Sequence, residues 1–191
     1  MRKYVVAAVM AAGLATPALA QDGQSFSGLR VEGLVGYERA KVEGGGSDGV
    51  SYGVGVGYDM RAGGGVFGIE AEAADSTVDE CINAVDVAGD QLCAAMGRDL
   101  YVGGRAGALV GSNALLYAKA GYTNSRVKLD YDAPGTADDF AEGANLDGVR
   151  VGAGVEFGLG TNAYAKAEYR YSNYEQGFEK HQGVVGFGFR F

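Results

Sequence analysis

The chain has 191 residues, a formal net charge of -8, 34 glycines, 12 tyrosines, two cysteines, one histidine and no tryptophan. Its mean hydropathy is -0.03 and its isoelectric point is about 4.6. An acidic balance of this size excludes nucleic acid as a partner, because such binding rests on Lys and Arg neutralising phosphates, and the length suits one domain.

Residues 1–20, MRKYVVAAVMAAGLATPALA, open with Arg2 and Lys3, continue through an apolar run to about Leu14 and end on Ala18-Leu19-Ala20. That is the charge, core and small-residue cleavage pattern of a secretory signal peptide. Read as a membrane-spanning helix, the run is too short and meets Pro17. The expectation is a cleaved leader at 1–20 and one domain over 21–191. Loss of the two basic residues takes the net charge from -8 to -10.

Beyond the leader no apolar stretch approaches the roughly 20 residues that a membrane helix needs. Transmembrane β-strands alternate apolar and polar residues instead, and each gives a weak hydropathy signal. Eight such segments follow in order: 29–39, 50–60, 66–73, 99–110, 115–127, 147–159, 163–174 and the closing segment to Phe191. In the second, Val50, Tyr52, Val54, Val56, Tyr58 and Met60 oppose Ser51, Gly53, Gly55, Gly57 and Asp59. Successive side chains of a strand point to opposite faces, so each segment has one bulky apolar face and one face of glycine and charge. The connections at 61–65, 111–113 and 160–162 are short and built from residues that tolerate positive φ. Those at 42–49, 75–98 and 129–146 are longer, which predicts loops there, the last one mobile around Pro134-Gly135. Short turns on one side and long loops on the other is the arrangement of an outer-membrane barrel. The predicted fold is therefore all-β: an eight-stranded antiparallel up-and-down transmembrane β-barrel with a polar interior and an apolar exterior.

The polar face carries Arg30, Arg105, Lys119, Arg150, Lys166, Arg170 and Arg190 against Glu32, Glu38, Asp59, Glu70, Glu72, Glu156 and Glu168. An eight-stranded barrel is only wide enough for side chains to fill it, and an isolated buried charge is too costly. These fourteen are expected to pair into a plug. A soluble eight-stranded barrel also alternates, but turns its apolar side inward around a ligand. Against it stands the concentration of bulk on one parity, with Tyr37, Tyr52, Tyr58, Tyr122, Tyr169 and Tyr171 near strand ends where an interfacial girdle belongs.

Signals of chemistry are few. His181 opens the last segment, and a hydrolase reading would pair it with Ser172 or Ser125, neither at a recognisable spacing. His181-Gln182-Gly183 also lacks the serine that lipid A deacylases carry two residues on, which leaves a histidine at the membrane rim. No phosphate loop, zinc pattern or metal-ligand spacing occurs, so no cofactor and no metal is expected. Cys81 and Cys93 lie in one connection of an exported chain, where an intraloop disulfide is the default and two free thiols the alternative. Asp75, Asp79, Glu80, Asp86 and Asp90 crowd that connection, and Asp130, Asp132, Asp138, Asp139 and Glu142 the next. They lack the ordered spacing of a calcium loop and read as a solvated acidic surface.

Taken together, Tyr-Val-Gly-Gly-Arg-Ala-Gly (101–107), Tyr-Ala-Lys-Ala-Gly-Tyr (117–122), Ala-Tyr-Ala-Lys-Ala-Glu-Tyr-Arg-Tyr (163–171) and the terminal Phe-Gly-Phe-Arg-Phe (187–191) resemble the small outer-membrane β-barrel family. That family includes opacity-type surface proteins, porin-like barrels of alphaproteobacteria and OmpA/OmpX-like transmembrane domains. The resemblance spans essentially all of the chain beyond the leader. It implies the outer membrane of a Gram-negative cell, lipid and lipopolysaccharide as surroundings, and a C-terminal assembly signal at Phe187, Phe189 and Phe191 read by the barrel-assembly machinery. It implies no enzyme activity and leaves a surface partner of the loops open. Two functions remain in view: an envelope-structural or surface-interaction barrel, which the balanced lining favours, and a narrow porin-like channel for small polar solutes or ions.

Overall fold

Strict two-residue alternation separates an apolar from a polar face only in an extended chain, and in lipid every backbone polar group needs a partner, so such segments must close on one another. The computed structural model describes residues 26–42, 45–83, 91–132 and 140–191. The leader at 1–20, Asp86, Asp90, Pro134-Gly135, Asp138 and Asp139 lie outside the described residues. The strands are β1 (Gly28–Val42), β2 (Gly45–Ala62), β3 (Gly65–Ser76), β4 (Asp79–Asn83), β5 (Gln91–Val110), β6 (Ala114–Asp132), β7 (Phe140–Leu159), β8 (Ala163–Tyr174) and β9 (Glu179–Arg190). Each pairs antiparallel with its neighbours, and β3 and β4 both run beside β5, so they form one interrupted stave. Pairing of β1 with β9, from Arg30 opposite Arg190 to Lys41 opposite Glu179, closes an eight-stave barrel. A closed barrel leaves no strand edge within the lipid.

The tight turns between β2 and β3, β5 and β6, and β7 and β8 each place a glycine at positive φ: Gly63 at 61°, Gly111 at 69° and Gly160 at 90°. This is the left-handed backbone that those short connections were expected to require. Val54, Ile69 and Val185 expose 64%, 70% and 62% of their surface on the outside, whereas Arg30, Glu38 and Asp59 expose none. That distribution settles the orientation of the wall, with apolar residues outward and charge inward, the reverse of a soluble ligand-binding barrel.

The strands run further than their apolar alternation. Positions 75–98 and 129–146, expected to be loops, contain the end of β3, all of β4, the first part of β5, the end of β6 and the start of β7. Gln91 pairs with Asp132 and Tyr131 with Phe140. The reason is that backbone pairing carries on above the membrane, where neither face has to be apolar, so periodicity fades before the ladder does. The wall is consequently taller on its β4–β7 side: β8 leaves the sheet at Tyr174, opposite Gly148, while β7 continues eight residues higher to Phe140. A bulge in β5 sets Gly97 and Arg98 into the ladder between Met96, opposite Val127, and Asp99, opposite Ser125. The extra residue restores the parity so that both Met96 and Asp99 point inward.

Candidate functional site: the charged lumen and its seals

Every polar-face charge expected from the sequence lies in the lumen, none with more than 5% of its surface exposed. Asp99 and Lys180 join them, buried to 4% and 1%, so eight acidic and eight basic side chains share the interior. Both have the interior parity in the sequence; Asp99 sits beside the bulge, and Lys180 lies just before His181, where the last alternating segment opens.

At the turn end, Asp59 bonds three guanidiniums: Arg105 through Nε at 2.9 Å and Nη2 at 2.5 Å, Arg30 at 3.2 Å and Arg190 at 2.9 Å. Glu156 closes the group on Arg105 at 3.1 Å and Arg190 at 2.8 Å. Arg30 reaches upward to Glu32 at 3.2 Å and to Glu70. In the middle, Lys119 stands among Glu70 at 2.6 Å, Glu72 at 2.8 Å and Glu168 at 3.2 Å. Lys166 holds Glu32 at 2.6 Å, and Arg170 bridges Glu72 at 2.9 Å to Glu168. At the loop end Asp99 accepts from Arg150 at 2.6 Å and from Lys180, which lies 3.8 Å from Glu38. The ion pairs thus form one continuous network along the lumen. Hydroxyls complete it: Tyr117 donates to Glu168 at 2.6 Å, Tyr164 to Glu32 at 2.7 Å and Tyr174 to Asp99 at 3.2 Å.

The interior glycines make this packing possible. A Cβ on Gly57 would stand 2.8 Å from the Arg30 guanidinium carbon, and one on Gly154 would stand 2.8 Å from the Tyr117 hydroxyl. Both distances are below van der Waals contact, so the strand facing each long side chain has to be bare there.

Apolar residues on the otherwise polar parity cluster at the two ends. At the turn end Phe26, Val66, Leu115 and Tyr117 pack together with Leu109 against them. At the loop end Ala40, Val78, Met96, Leu146, Tyr174 and Phe178 do the same, backed by Val127. The charged column lies between two apolar seals. Burial of that apolar area stabilises each seal and keeps bulk water from the ion pairs, which strengthens them.

The residues considered for hydrolysis are not brought together. Ser172 accepts from Arg150 Nε at 2.8 Å inside the lumen and Ser125 is fully buried there, whereas His181 faces outward, its Nδ1 2.7 Å from the Tyr169 hydroxyl and its ring 5.0 Å from that of Tyr171. The barrel wall separates base from nucleophile. Cys81 and Cys93 stand directly opposite each other in the β4–β5 ladder. Phe187, Phe189 and Phe191 are half-exposed on the outer face of the closing strand, while Arg190 between them points inward.

A lipid-facing apolar wall around a buried column of ion pairs is a membrane architecture, and the family model of the outer membrane protein β-barrel domain matches residues 6–191. The chain belongs to that family. Members of the outer-membrane β-barrel family reside in the Gram-negative outer membrane, and the apolar belt described above is this chain's surface towards lipid. The fold is similar to that of Ail, the attachment invasion locus protein of Yersinia pestis, crystallised with the heparin analogue sucrose octasulfate: TM-score 0.60, 17% identity, 86% of this chain and 99% of that one covered. Neisserial surface protein A is similar at TM-score 0.58 and 18% identity over 86% of this chain and 98% of that one. A major outer membrane protein of Thermus thermophilus follows at TM-score 0.53 and 12% identity, over 85% and 99%. No curated protein sequence matches the chain. At such identities the likeness is one of fold.

Proposed function

We propose that this barrel is a non-conducting, non-enzymatic envelope protein, held in the outer membrane by its belt and acting through the part that stands above the lipid. The observation that carries this reading is the lumen: eight cations against eight anions, each within an ion pair, capped at both ends by apolar clusters. A conducting pore needs a continuous wet path or an unpaired lining. Mobile ions crossing here would have to break pairs that are costly to leave unmatched in a buried site. The narrow-channel alternative draws on buried polar atoms that have no hydrogen-bond partner among the described residues, Glu72 Oε2, Tyr101 Oη and Ser125 Oγ. They suit isolated internal waters better than a path, because sealed polar cavities hold water at a few fixed points.

The same reading assigns export through the leader at 1–20, contact with lipopolysaccharide around the rim, and recognition of the Phe187, Phe189 and Phe191 face by the assembly machinery. It also assigns a Cys81–Cys93 disulfide. Opposite residues of an antiparallel ladder have Cα atoms about 4.5–5.5 Å apart, inside the range of about 4.4–6.8 Å that a disulfide spans. The test is solute permeation. Vesicles containing the refolded protein are expected to swell in arabinose or glycine no faster than empty vesicles, and uptake that rises with the amount of folded protein would overturn the closed-lumen reading.

A further inference from the structure

The tyrosine girdle has a gap on the outer wall of β8, β9 and β1. In the register row through Tyr169, Gly183 and Tyr37, two tyrosines exposing 56% and 60% of their surface stand on either side of a glycine. A Cβ on Gly183 would meet nothing within 4 Å. Neighbouring strands lie about 4.8 Å apart, so the two tyrosine Cα atoms are about 9.6 Å apart with bare backbone between them. The other girdle tyrosines have no such opening: Tyr52 stands between Val35 and Asp75, Tyr58 between Leu29 and Ile69, Tyr122 between Val102 and Val149, and Tyr171 between Val151 and His181.

Polar groups stand one row higher, towards the loop end, where His181 and Arg39 are opposite each other. The Tyr169 hydroxyl engages His181 Nδ1 at 2.7 Å, and Nε and Nη2 of Arg39 hold Asp48 at 2.9 and 3.4 Å. His181 Nε2 and Arg39 Nη1 are the nitrogens left to a ligand above the slot. The charge around it is nearly balanced. On β8, β9, β1 and β2 the described outward-facing charged residues above the belt are Arg39, Lys41, Asp48 and Glu179, two of each sign, and Glu175 stands beyond them in the turn after β8. Such a field gives a simple anion no net attraction, whereas a ligand that carries both charges close together can meet each in turn.

We propose that this slot binds a phosphocholine group, with its quaternary ammonium between the rings of Tyr37 and Tyr169 and its phosphate on Arg39 and His181. A quaternary ammonium has no N–H to donate and is held by aromatic faces within about 6 Å of the ring centroid. Phosphate takes charge-assisted hydrogen bonds from guanidinium and imidazole. The order of these groups along the wall fixes the source of the ligand. The ammonium lies nearer the lipid and the phosphate nearer the water, which is the polarity of a phosphocholine group entering from the aqueous side. A lipid of the barrel's own membrane would lie the other way, because its acyl chains hang from the phosphate. The ligand is therefore a phosphocholine-bearing molecule that approaches the loop end from solution. This inference deepens the surface-interaction part of the proposed function and is independent of whether the lumen conducts, which vesicle swelling reads separately.

The probe is phosphocholine itself, titrated by calorimetry into the refolded full chain in octyl glucoside micelles, with heat-modifiable migration confirming the fold. Saturable binding is expected, about tenfold or more weaker for phosphoethanolamine, which carries the same charges without the methyl groups. Gly183→Leu fills the slot and is expected to weaken phosphocholine binding about tenfold at an unchanged urea midpoint, since a side chain there meets no neighbour. Tyr37→Leu, which removes one aromatic wall, is expected to weaken it several-fold. Equal binding of phosphoethanolamine would mean charge recognition alone and would overturn the cage, and undiminished binding by Gly183→Leu would overturn the site. Absence of phosphocholine binding, with phosphatidylcholine retained over phosphatidylethanolamine when the barrel is extracted from mixed vesicles, would hand the slot to a lipid of its own membrane and overturn the ligand from solution.

Discussion

Asp59 is the residue on which the turn end of the lumen depends, since three guanidiniums share its two oxygens. Removing one partner of a buried ion pair leaves an unmatched charge, which costs about 3–5 kcal/mol. Asp59→Ala is therefore expected to lower the urea midpoint of the refolded barrel, followed by heat-modifiable migration because the chain has no tryptophan; an unchanged midpoint would mean that water reaches the site and screens it. Two glycines offer a paired test of lumen packing. Gly57→Val drives a branched side chain into the Arg30 guanidinium, whereas a Cβ on Gly33 meets nothing within 4 Å. Overpacking of about 1–3 kcal/mol is expected for Gly57→Val, and a change within about 0.5 kcal/mol for Gly33→Ala. At this scale the sequence was informative wherever parity was unbroken. Arg30, Glu32, Arg105 and Glu168 could be placed on the interior face by counting in twos, because a strand has no other way to orient its side chains. Counting failed at Met96, which the bulge at Gly97 and Arg98 turns inward although it lies three residues from Asp99, and which anion meets which cation depends on register between staves, which no single segment encodes.

Among the elements, β4 and the upper part of β5 form the segment that a disulfide would join. Mass spectrometry of the purified protein is expected to show a form two hydrogens lighter than the reduced chain, and loss of that form in Cys81→Ser. Such a bond would close a loop of 13 residues from Cys81 to Cys93 and is expected to stabilise the ribbon by about 3 kcal/mol in the chain-entropy account. Equal protease resistance of this ribbon with and without reductant would contradict that contribution. The closing strand carries a different expectation. Phe191 is half-exposed at the end of β9 and packs into neither seal. Phe191→Ala is expected to reduce the folded protein recovered from cell envelopes while leaving the urea midpoint of protein refolded in micelles unchanged. A fall of both together would make Phe191 a stability residue instead of an assembly signal. Element existence was readable for the membrane-spanning part of every stave, since lipid outside and charge inside force alternation there. The ribbon formed by Gln91–Met96, Val127–Asp132 and Phe140–Leu146 was not, because above the membrane polar residues are permitted on both faces and Gly, Asp and Asn resemble a loop.

For the whole molecule, the arrangement divides charge by compartment: a neutral, matched column inside, an uncharged belt against lipid and an acidic mouth. The matched column explains how a narrow barrel can hold sixteen charged side chains, because each has an ion-pair partner in the lumen, and bare positions such as Gly57, Gly55 and Gly152 make room for Arg30, Glu32 and Lys119. The apolar seals were the least legible part of the candidate site. Val66, Leu115, Val78 and Leu146 come from distant positions and meet only when the barrel closes, and a lone apolar residue on a polar parity reads as an exception until the others stand beside it. They are also what makes the lumen closed and not merely crowded. The measurement that bears on this most directly is single-channel recording of the refolded wild-type barrel in a planar bilayer. Silence at every voltage, from protein whose heat-modifiable migration shows it folded, is the result the paired and sealed lumen predicts; steady, reproducible unit steps would contradict it and make the sixteen charges the lining of a pore.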